Sequence, residues 1–313
     1  MPPLFDLQGH RGARGLRPEN TLPAFETALD LGVTTIETDV HLTRDGVPVL
    51  CHDDRISERL CRLIPGGAAP DPASRPAIRT LTLAQMRAYR ADRNPEPEHL
   101  PEQDPGVTPL ARLFAAARGI DPYAPPALAD LFAFAAAYQG EPGAQAGKTA
   151  AQREQARRVR FNLELKRIPY RPEAIGDTFD GERPGLLEER VVEAIRSAGM
   201  VERTGVCSFD HRCLRALRRL EPRLRTAVLI YNTAPVAPAE LVRQADAHAY
   251  GPDFEFLDER QVRQLHAAGV PVVPWTVNEV RDMERLLDWG VDGIATDYPD
   301  RLAALLRRRG IEF

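Results

Sequence analysis

The sequence is short of lysine and of long apolar segments. Lys148 and Lys166 are the only lysines among 41 basic residues, so each is a candidate for a specific role. No run of 18 apolar residues occurs, so no transmembrane helix or stable membrane insertion is expected. The sequence does not open with a charged segment followed by an apolar one, so we expect no signal peptide. We therefore expect a cytoplasmic location, or a periplasmic or secreted one if a signal peptide was removed.

Cysteine is also scarce, and the charge is nearly balanced. The four cysteines form no C-x-x-C pair, so no zinc knuckle is expected, and a chain of 313 residues folds without disulfides. We therefore expect free thiols. The net charge of −4 does not favour nucleic-acid binding. Motifs of the G-x-S-x-G, G-x-G-x-x-G and Walker types are missing, so a serine hydrolase of that kind and dinucleotide or NTP binding are unsupported.

What the sequence does contain is an alternation of short strand-like and helical segments, which favours an α/β fold with a parallel sheet. Eight candidate strands match the number in a (β/α)8 TIM barrel. These strands are predicted at 4–9, 34–40, 160–165, 205–208, 226–230, 247–250, 270–276 and 293–296. Helices are predicted at 21–31, 82–91, 126–138, 186–198, 210–220, 238–244, 258–268, 279–289 and 299–309.

A short extra strand, 47–51, follows the second barrel strand after an Asp45-Gly46 turn. A connection this short joins antiparallel strands, so we expect a β-hairpin that returns His52 to the level of Asp39. The region after it is rich in proline and small residues. We expect one TIM-barrel domain over 1–313, with 55–125 inserted over the active-site mouth and a flexible surface loop at 140–148.

Several acidic residues stand where barrel enzymes keep their sites, at the carboxyl ends of strands. Glu37 and Asp39 are two apart on one strand and so share a face, and Glu164 stands near the end of another strand. Three carboxylates in one apolar mouth would repel each other, and a hard divalent cation, Mg²⁺ or Ca²⁺, would relieve this. The alternative is that one or two of them are surface carboxylates.

Histidines and cations accompany these acids. His10 and His52 form a candidate acid–base pair because imidazole titrates near neutral pH. Arg11 and Lys166 offer positive charge suited to phosphate oxygens. This combination fits phosphoryl-transfer chemistry better than peptide or ester hydrolysis.

An ordered series of motifs resembles the glycerophosphodiester phosphodiesterase family. It runs from about residue 5 to 301 and skips the insertion. The motifs are Gly9-His10-Arg11-Gly12, Pro18-Glu19-Asn20-Thr21, Glu37-Thr38-Asp39, Asp45-Gly46-Val47-Pro48-Val49, His52-Asp53, Leu163-Glu164-Leu165-Lys166, Ser208-Phe209, Trp275-Thr276-Val277-Asn278 and Asp292-Gly293-Ile294-Ala295-Thr296-Asp297-Tyr298-Pro299.

The resemblance implies a TIM-barrel hydrolase that cleaves glycerophosphodiesters to glycerol 3-phosphate and an alcohol. The residues that match the family's functional positions are His10 and His52 as acid and base, Arg11 and Lys166 as phosphate-binding residues, Glu37, Asp39 and Glu164 as metal ligands, and Glu19 as an acid that orients Arg11. Trp275 either contacts the substrate or is a core residue. We expect Asn278 to cap the following helix and Asp297 to hold the last turn.

Two other functions stay open from the sequence. One is a lipid-directed phospholipase D-like or C-like phosphodiesterase of the same superfamily, and the other is a barrel that binds a phosphodiester without cleaving it. The sequence does not determine the headgroup alcohol, the oligomeric state, or the choice between Mg²⁺ and Ca²⁺. It also leaves open which histidine acts first and whether water or a glycerol hydroxyl attacks.

Overall fold

The computed structural model describes residues 4–313, and a curled parallel sheet forms its centre. The strands are β1 (Asp6–Gly9), β2 (Thr35–Leu42), β3 (Pro48–Leu50), β4 (Arg62–Leu63), β5 (Tyr89–Arg90), β6 (Arg160–Leu165), β7 (Thr204–Ser208), β8 (Arg225–Ile230), β9 (Ala249–Pro252) and β10 (Gly293–Thr296). The main sheet has the order β10-β1-β2-β6-β7-β8-β9, and every pair along it is parallel. The remaining strands pair in antiparallel fashion, β3 with β2 in a hairpin and β4 with β5 across a longer connection.

The segment 270–276 closes this sheet into a ring without forming a regular strand. On one side the Val273 amide donates to the Tyr250 carbonyl of β9 at 2.9 Å, and on the other the Ala295 amide of β10 donates to the Pro274 carbonyl at 3.0 Å. Pro271 and Pro274 have no amide hydrogen, so each removes a ladder bond. The predicted (β/α)8 barrel is confirmed, and its seventh strand is reduced to two isolated bridges.

Helices surround the barrel. They are α1 (Leu22–Leu31), α2 (Leu83–Met86), α3 (Pro109–Arg118), α4 (Leu128–Gln139), α5 (Glu141–Gln145), α6 (Ala150–Ala156), α7 (Leu186–Ser197), α8 (His211–Leu220), α9 (Pro238–Gln244), α10 (Glu259–Ala267), α11 (Val280–Asp288) and α12 (Pro299–Arg309). Within residues 4–313, none of them combines the length and the apolarity that crossing a membrane requires. All four cysteines are buried free thiols, as expected.

The alternation of side chains along each strand decides which of them reach the site. In β2, Ile36 and Val40 point outward and belong to the main apolar core, so Glu37 and Asp39 point toward the barrel axis. The hairpin prediction is confirmed, since Val40 pairs with Leu50 in antiparallel fashion. The Cys51 amide donates to the Asp39 carbonyl at 3.2 Å, which brings the next residue to the rim of the barrel.

The stretch after β3 builds a second, smaller apolar core. The helix predicted at 82–91 is wrong beyond Met86, because the chain straightens into β5. Tyr89 is fully buried in this small core and pairs with Leu63 of the antiparallel strand β4. Burial and strand pairing therefore override the local helical preference.

The flexible loop predicted at 140–148 is also wrong. The chain forms α5 there, and Lys148 is buried against α1, with its Nζ atom 2.6 Å from Glu26 Oε1 and 2.7 Å from Asp30 Oδ2. Glu26 is fully buried and accepts the backbone amides of Leu110 and Ala111 at the start of α3. The lysine thus compensates a buried carboxylate that joins two helices.

The Lys148→Met variant is expected to lose about 3–5 kcal/mol of unfolding free energy, because Glu26 would stay buried without its cation. Urea unfolding followed by circular dichroism measures this loss. The control is Glu154→Gln, which removes an exposed ion pair with Arg157 and should change stability by less than about 0.5 kcal/mol. A similar small change in both variants would show that the Lys148 pair does not stabilise the fold.

Candidate active site

Three carboxylates meet at the rim of the barrel. Asp39 of β2 is directly paired with Glu164 of β6, and Glu37 lies one step below on the same face of β2. One oxygen from each of the three lies within 4.8 Å of the others, and all three residues are buried. Neighbouring parallel strands thus bring together acids that are more than 120 residues apart.

The electrostatics of these acids fit a bound cation. Burial raises the pKa of Glu37 well above its usual value, and the neighbouring Asp39 and Glu164 act in the same direction. Burial also acts to raise the pKa of Asp39, but Lys166 and Arg11 outweigh it and hold that pKa well below its usual value. The buried Oδ1 atom of Asp39 makes no hydrogen bond. An all-oxygen donor set with an unpartnered buried oxygen is one that Mg²⁺ or Ca²⁺ can occupy.

Two cations flank the acids. Lys166 Nζ donates to Glu164 Oε1 at 2.7 Å and lies 3.4 Å from Asp39 Oδ1. Arg11 places its Nε atom 3.3 Å from Asp39 Oδ2 and donates from Nη1 to Glu19 Oε1 at 2.9 Å. The structure therefore places Glu19 where it orients Arg11.

The loop after β1 has an unusual backbone that presents Arg11. Arg11 and Gly12 both have positive φ, and the Arg11 amide donates to Glu37 Oε2 at 2.9 Å. A Cβ atom at Gly12 would come within 3 Å of Ala24 in α1, so the turn requires glycine. Asn20 ties this loop to the acids, because its Nδ2 atom donates to Asp39 Oδ2 at 2.8 Å.

His10 is almost buried, and the carboxylate of Asp297 lies against its Nδ1 atom. Its Nδ1 atom lies 2.7 Å from Asp297 Oδ1, and its Nε2 atom faces the acids, 3.9 Å from Glu37 Oε2. Burial lowers the pKa of His10, and Arg11 acts in the same direction against the opposing effect of Asp297. Burial acts to raise the pKa of Asp297, but His10 outweighs it and holds that pKa at about 2.

His52 lies at the same mouth in a more open position, with about a third of its side chain exposed. Its Nδ1 atom lies 2.8 Å from Asp53 Oδ1, which leaves Nε2 free. His41, which carries no predicted role, is buried beneath and makes a 3.1 Å hydrogen bond from Nε2 to the His52 carbonyl. Each of the two candidate histidines is thus fixed through Nδ1 and presents Nε2.

The opposite side of the mouth is aromatic. Trp275 lines the same cavity as both histidines and donates from Nε1 to the Gly251 carbonyl at 2.9 Å. Phe209 meets it edge to face, with ring centroids 5.5 Å apart, and Tyr231 stacks on it at 5.9 Å. Trp275 is therefore a wall of the cavity and not a core residue.

Three polar residues of the site escaped the sequence interpretation. Asp297 was expected to hold the last turn and Asn278 to cap α11, but α11 has no side-chain cap. Instead, Asn278 Nδ2 donates to Asp297 Oδ2 at 2.8 Å. Arg14, which also lines the cavity, donates to Glu19 Oε2 at 2.6 Å. The available signals were that Asn278 and Asp297 lie in segments that match the family motifs and that Arg14 follows the Gly-His-Arg-Gly motif.

The fold and the site together define a class: a TIM-barrel enzyme whose mouth combines a carboxylate cluster that could hold a metal, two cations and two oriented histidines. An anionic substrate with an organic arm fits this charge distribution, because the cations and the aromatic wall face one cavity.

Comparisons with known proteins identify the family. The model of the glycerophosphoryl diester phosphodiesterase family matches residues 10–301, and the chain belongs to that family of phosphodiester-hydrolysing enzymes. It is 28% identical to a glycerophosphodiester phosphodiesterase of Caldanaerobacter subterraneus subsp. tengcongensis, over 96% of this chain and 97% of that protein.

Solved structures agree on the fold. A crystal structure from Silicibacter pomeroyi DSS-3, assigned to the glycerophosphoryl diester phosphodiesterases, matches with a TM-score of 0.77 and 29% identity, covering 100% of this chain and 96% of that one. An Oleispira antarctica phosphodiesterase, solved in complex with the product sn-glycerol-3-phosphate, shares the fold with a TM-score of 0.67 and 21% identity, with 97% of each chain covered.

Proposed function

We propose that this enzyme hydrolyses glycerophosphodiesters to glycerol 3-phosphate and an alcohol, with a divalent cation, Mg²⁺ or Ca²⁺, held by Glu37, Asp39 and Glu164. The observation that carries the proposal is the convergence of these carboxylates with two cations and two Nδ1-held histidines on one cavity. The family match and the Oleispira product complex support the substrate class.

Arg11 and Lys166 bind the phosphodiester anion, since both reach the carboxylate cluster from the cavity side. A bound divalent cation would add positive charge next to the phosphoryl oxygens. The aromatic wall around Trp275 packs against an organic arm of the diester.

We assign different roles to the two histidines from their positions. His10 lines the cavity beside the acids and is almost buried, so its Nε2 atom accepts the proton of the attacking oxygen. His52 stands at the open side of the mouth, where an alcohol leaves toward solvent, so it protonates that alcohol. Asp297 and Asp53 hold the two rings so that each Nε2 atom faces the cavity.

The stretch after β3 lies beside the loop after β1. We propose a single barrel domain in which 55–125 is an insertion, because the stretch after β3 has its own small core and contacts the loop after β1. Arg17 of that loop donates to Asp104 Oδ2 at 2.6 Å.

The proposal predicts glycerol 3-phosphate release from glycerophosphocholine that EDTA abolishes and Mg²⁺ or Ca²⁺ restores. An enzymatic assay for glycerol 3-phosphate measures the rate, and ³¹P NMR of the same reaction detects a cyclic phosphate if a glycerol hydroxyl attacks first. Release that persists in excess EDTA would contradict the metal, and no release from a panel of headgroups would contradict the substrate class. The His10→Ala protein, purified in the same way, controls for contaminating enzymes.

One observation favours a lipid-directed activity as a second candidate. Exposed apolar side chains stand on loops after β6, β7 and β8, namely Tyr170, Phe209, Tyr231 and Val236. Large exposed apolar groups are common at lipid contacts. D-like cleavage of lysophosphatidylcholine releases choline and lysophosphatidic acid, and C-like cleavage releases phosphocholine and monoacylglycerol. ³¹P NMR of the reaction follows either product, and a kcat/KM above that for glycerophosphocholine would favour the lipid.

The Asp297→Asn variant is expected to lower kcat/KM by about 10–100-fold, the usual effect of a group that orients a functional side chain. The amide no longer favours a proton on His10 Nδ1, so Nε2 is less available to accept one. Steady-state kinetics of both single variants and of His10→Ala/Asp297→Asn measure this. The two changes should not add, because Asp297 acts through His10. Asp282→Asn on α11 is the control with wild-type kinetics expected.

A further inference from the structure

Arg14 is almost buried and contacts three carboxylates at once, although the proposed mechanism gives it no role. Its Nε atom donates to Glu19 Oε2 at 2.6 Å, and its Nη1 atom lies 3.7 Å from Asp297 Oδ2. Its Nη2 atom lies 3.1 Å from Glu96 Oε1. All three guanidinium nitrogens therefore face acids, which leaves the side chain little freedom to bind a substrate.

Glu19 and Asp297 each hold a second side chain of the site. Glu19 uses its other oxygen to hold Arg11 Nη1 at 2.9 Å, and Asp297 uses its other oxygen to hold His10 Nδ1 at 2.7 Å. Arg14 is thus the common point of two chains of contacts, one leading to the phosphate-binding cation and the other to the proton-accepting histidine.

We propose that Arg14 is a positioning residue that sets the distance between Arg11 and His10, and this inference rests on the proposed function. A guanidinium is planar and rigid, so the Arg14 hydrogen bond to Glu19 and its 3.7 Å ion pair with Asp297 tie the two acids to one rigid group, while Asn278 also donates to Asp297 Oδ2. The acids then fix the side chains on their far sides. A lysine in the same place supplies the charge but only one point of contact.

Two residues of the insertion contact Arg14. Glu96 contacts the guanidinium, and Gln103 Nε2 donates to the Arg14 carbonyl at 2.8 Å. Movement of this stretch is therefore transmitted to the common partner of both chains. Arg17, three residues farther along the same loop, contacts Asp104 and Gly106 of the insertion and neither site acid.

The test compares Arg14→Gln and Arg14→Lys with Arg17→Gln as the matched control, using kcat and KM for glycerophosphocholine. Arg14→Gln is expected to lower kcat/KM by about 10–100-fold, with a rise in KM from the displaced Arg11 and a fall in kcat from the displaced His10. Arg14→Lys should stay close to Arg14→Gln, and Arg17→Gln should stay within about twofold of the wild type. Full recovery in Arg14→Lys would overturn the inference, since charge alone would then suffice.

Double variants test the two chains separately. Arg14→Gln combined with Glu19→Gln, and with Asp297→Asn, should each fall short of the product of the single effects by at least about threefold. Independent, multiplicative effects in both pairs would also overturn the inference.

A readout without turnover separates this inference from the proposed function. In protein labelled with ¹⁵N-histidine, the His10 Nδ1 proton bonded to Asp297 is expected to shift in Arg14→Gln and not in Arg17→Gln, with His10→Ala providing the assignment. If the wild-type protein releases no glycerol 3-phosphate but the proton still shifts in Arg14→Gln, the proposed activity is disproved and the positioning role stands. An unshifted proton together with unchanged kinetics would disprove the positioning role.

Discussion

The His10→Ala variant is expected to lower kcat by about 10²–10⁴-fold, the usual effect of removing an acid–base group. The ring is almost buried, its Nδ1 atom is fixed by Asp297, and its Nε2 atom faces Glu37, so the variant loses an oriented proton acceptor beside the acids. KM should change far less than kcat, because the phosphate is bound by Arg11 and Lys166. Steady-state kinetics with glycerophosphocholine measure both constants.

His99→Gln is the matched control, since His99 is exposed on the insertion and its backbone carbonyl alone contacts the barrel. Its kinetics should equal those of the wild type. Circular dichroism and the melting temperature show whether His10→Ala is folded. A folded His10→Ala protein with near wild-type kcat would remove His10 from the mechanism.

The Asp39→Asn variant is expected to lose metal binding and about 10³-fold in kcat/KM. A bound cation stabilises the transition state of phosphoryl transfer by several kcal/mol, and each 1.4 kcal/mol changes the rate tenfold. The amide removes the charge of a carboxylate whose pKa Lys166 and Arg11 hold well below its usual value. It also leaves those two cations without their shared partner.

Calorimetric titration with Mg²⁺ and with Ca²⁺ measures the binding directly. The wild-type protein should also melt at a higher temperature with saturating cation, and Asp39→Asn should not, because a ligand stabilises only the state that binds it. Asp288→Asn, an exposed change on α11, is the control. Equal cation binding by Asp39→Asn and the wild type would place the metal elsewhere.

Much of the site followed from the sequence because it depends on strand geometry. A spacing of two on β2 predicts that Glu37 and Asp39 share a face, and parallel neighbours carry Glu164 to the same rim. The Asp45-Gly46 turn likewise predicts the hairpin that delivers His52. These relations hold for any side chain that occupies the position.

Other parts of the site depend on side-chain directions and long-range packing, which the sequence does not encode locally. Asn278 sits where helix caps are common, yet it turns to Asp297 on the neighbouring strand end. Lys148 lies in a polar stretch rich in small residues, and its burial depends on a carboxylate more than 100 residues away. The irregular closing segment follows from Pro271 and Pro274, which remove ladder bonds from an otherwise strand-like pattern.

The pairing of β1 with β10 has a consequence for the synthesis of this enzyme. His10 leaves the ribosome near the beginning of translation, whereas its partner Asp297 follows 287 residues later. A nascent or truncated chain that lacks β10 therefore carries the histidine without the carboxylate that orients it. The oriented histidine therefore exists only after β10 has paired with β1.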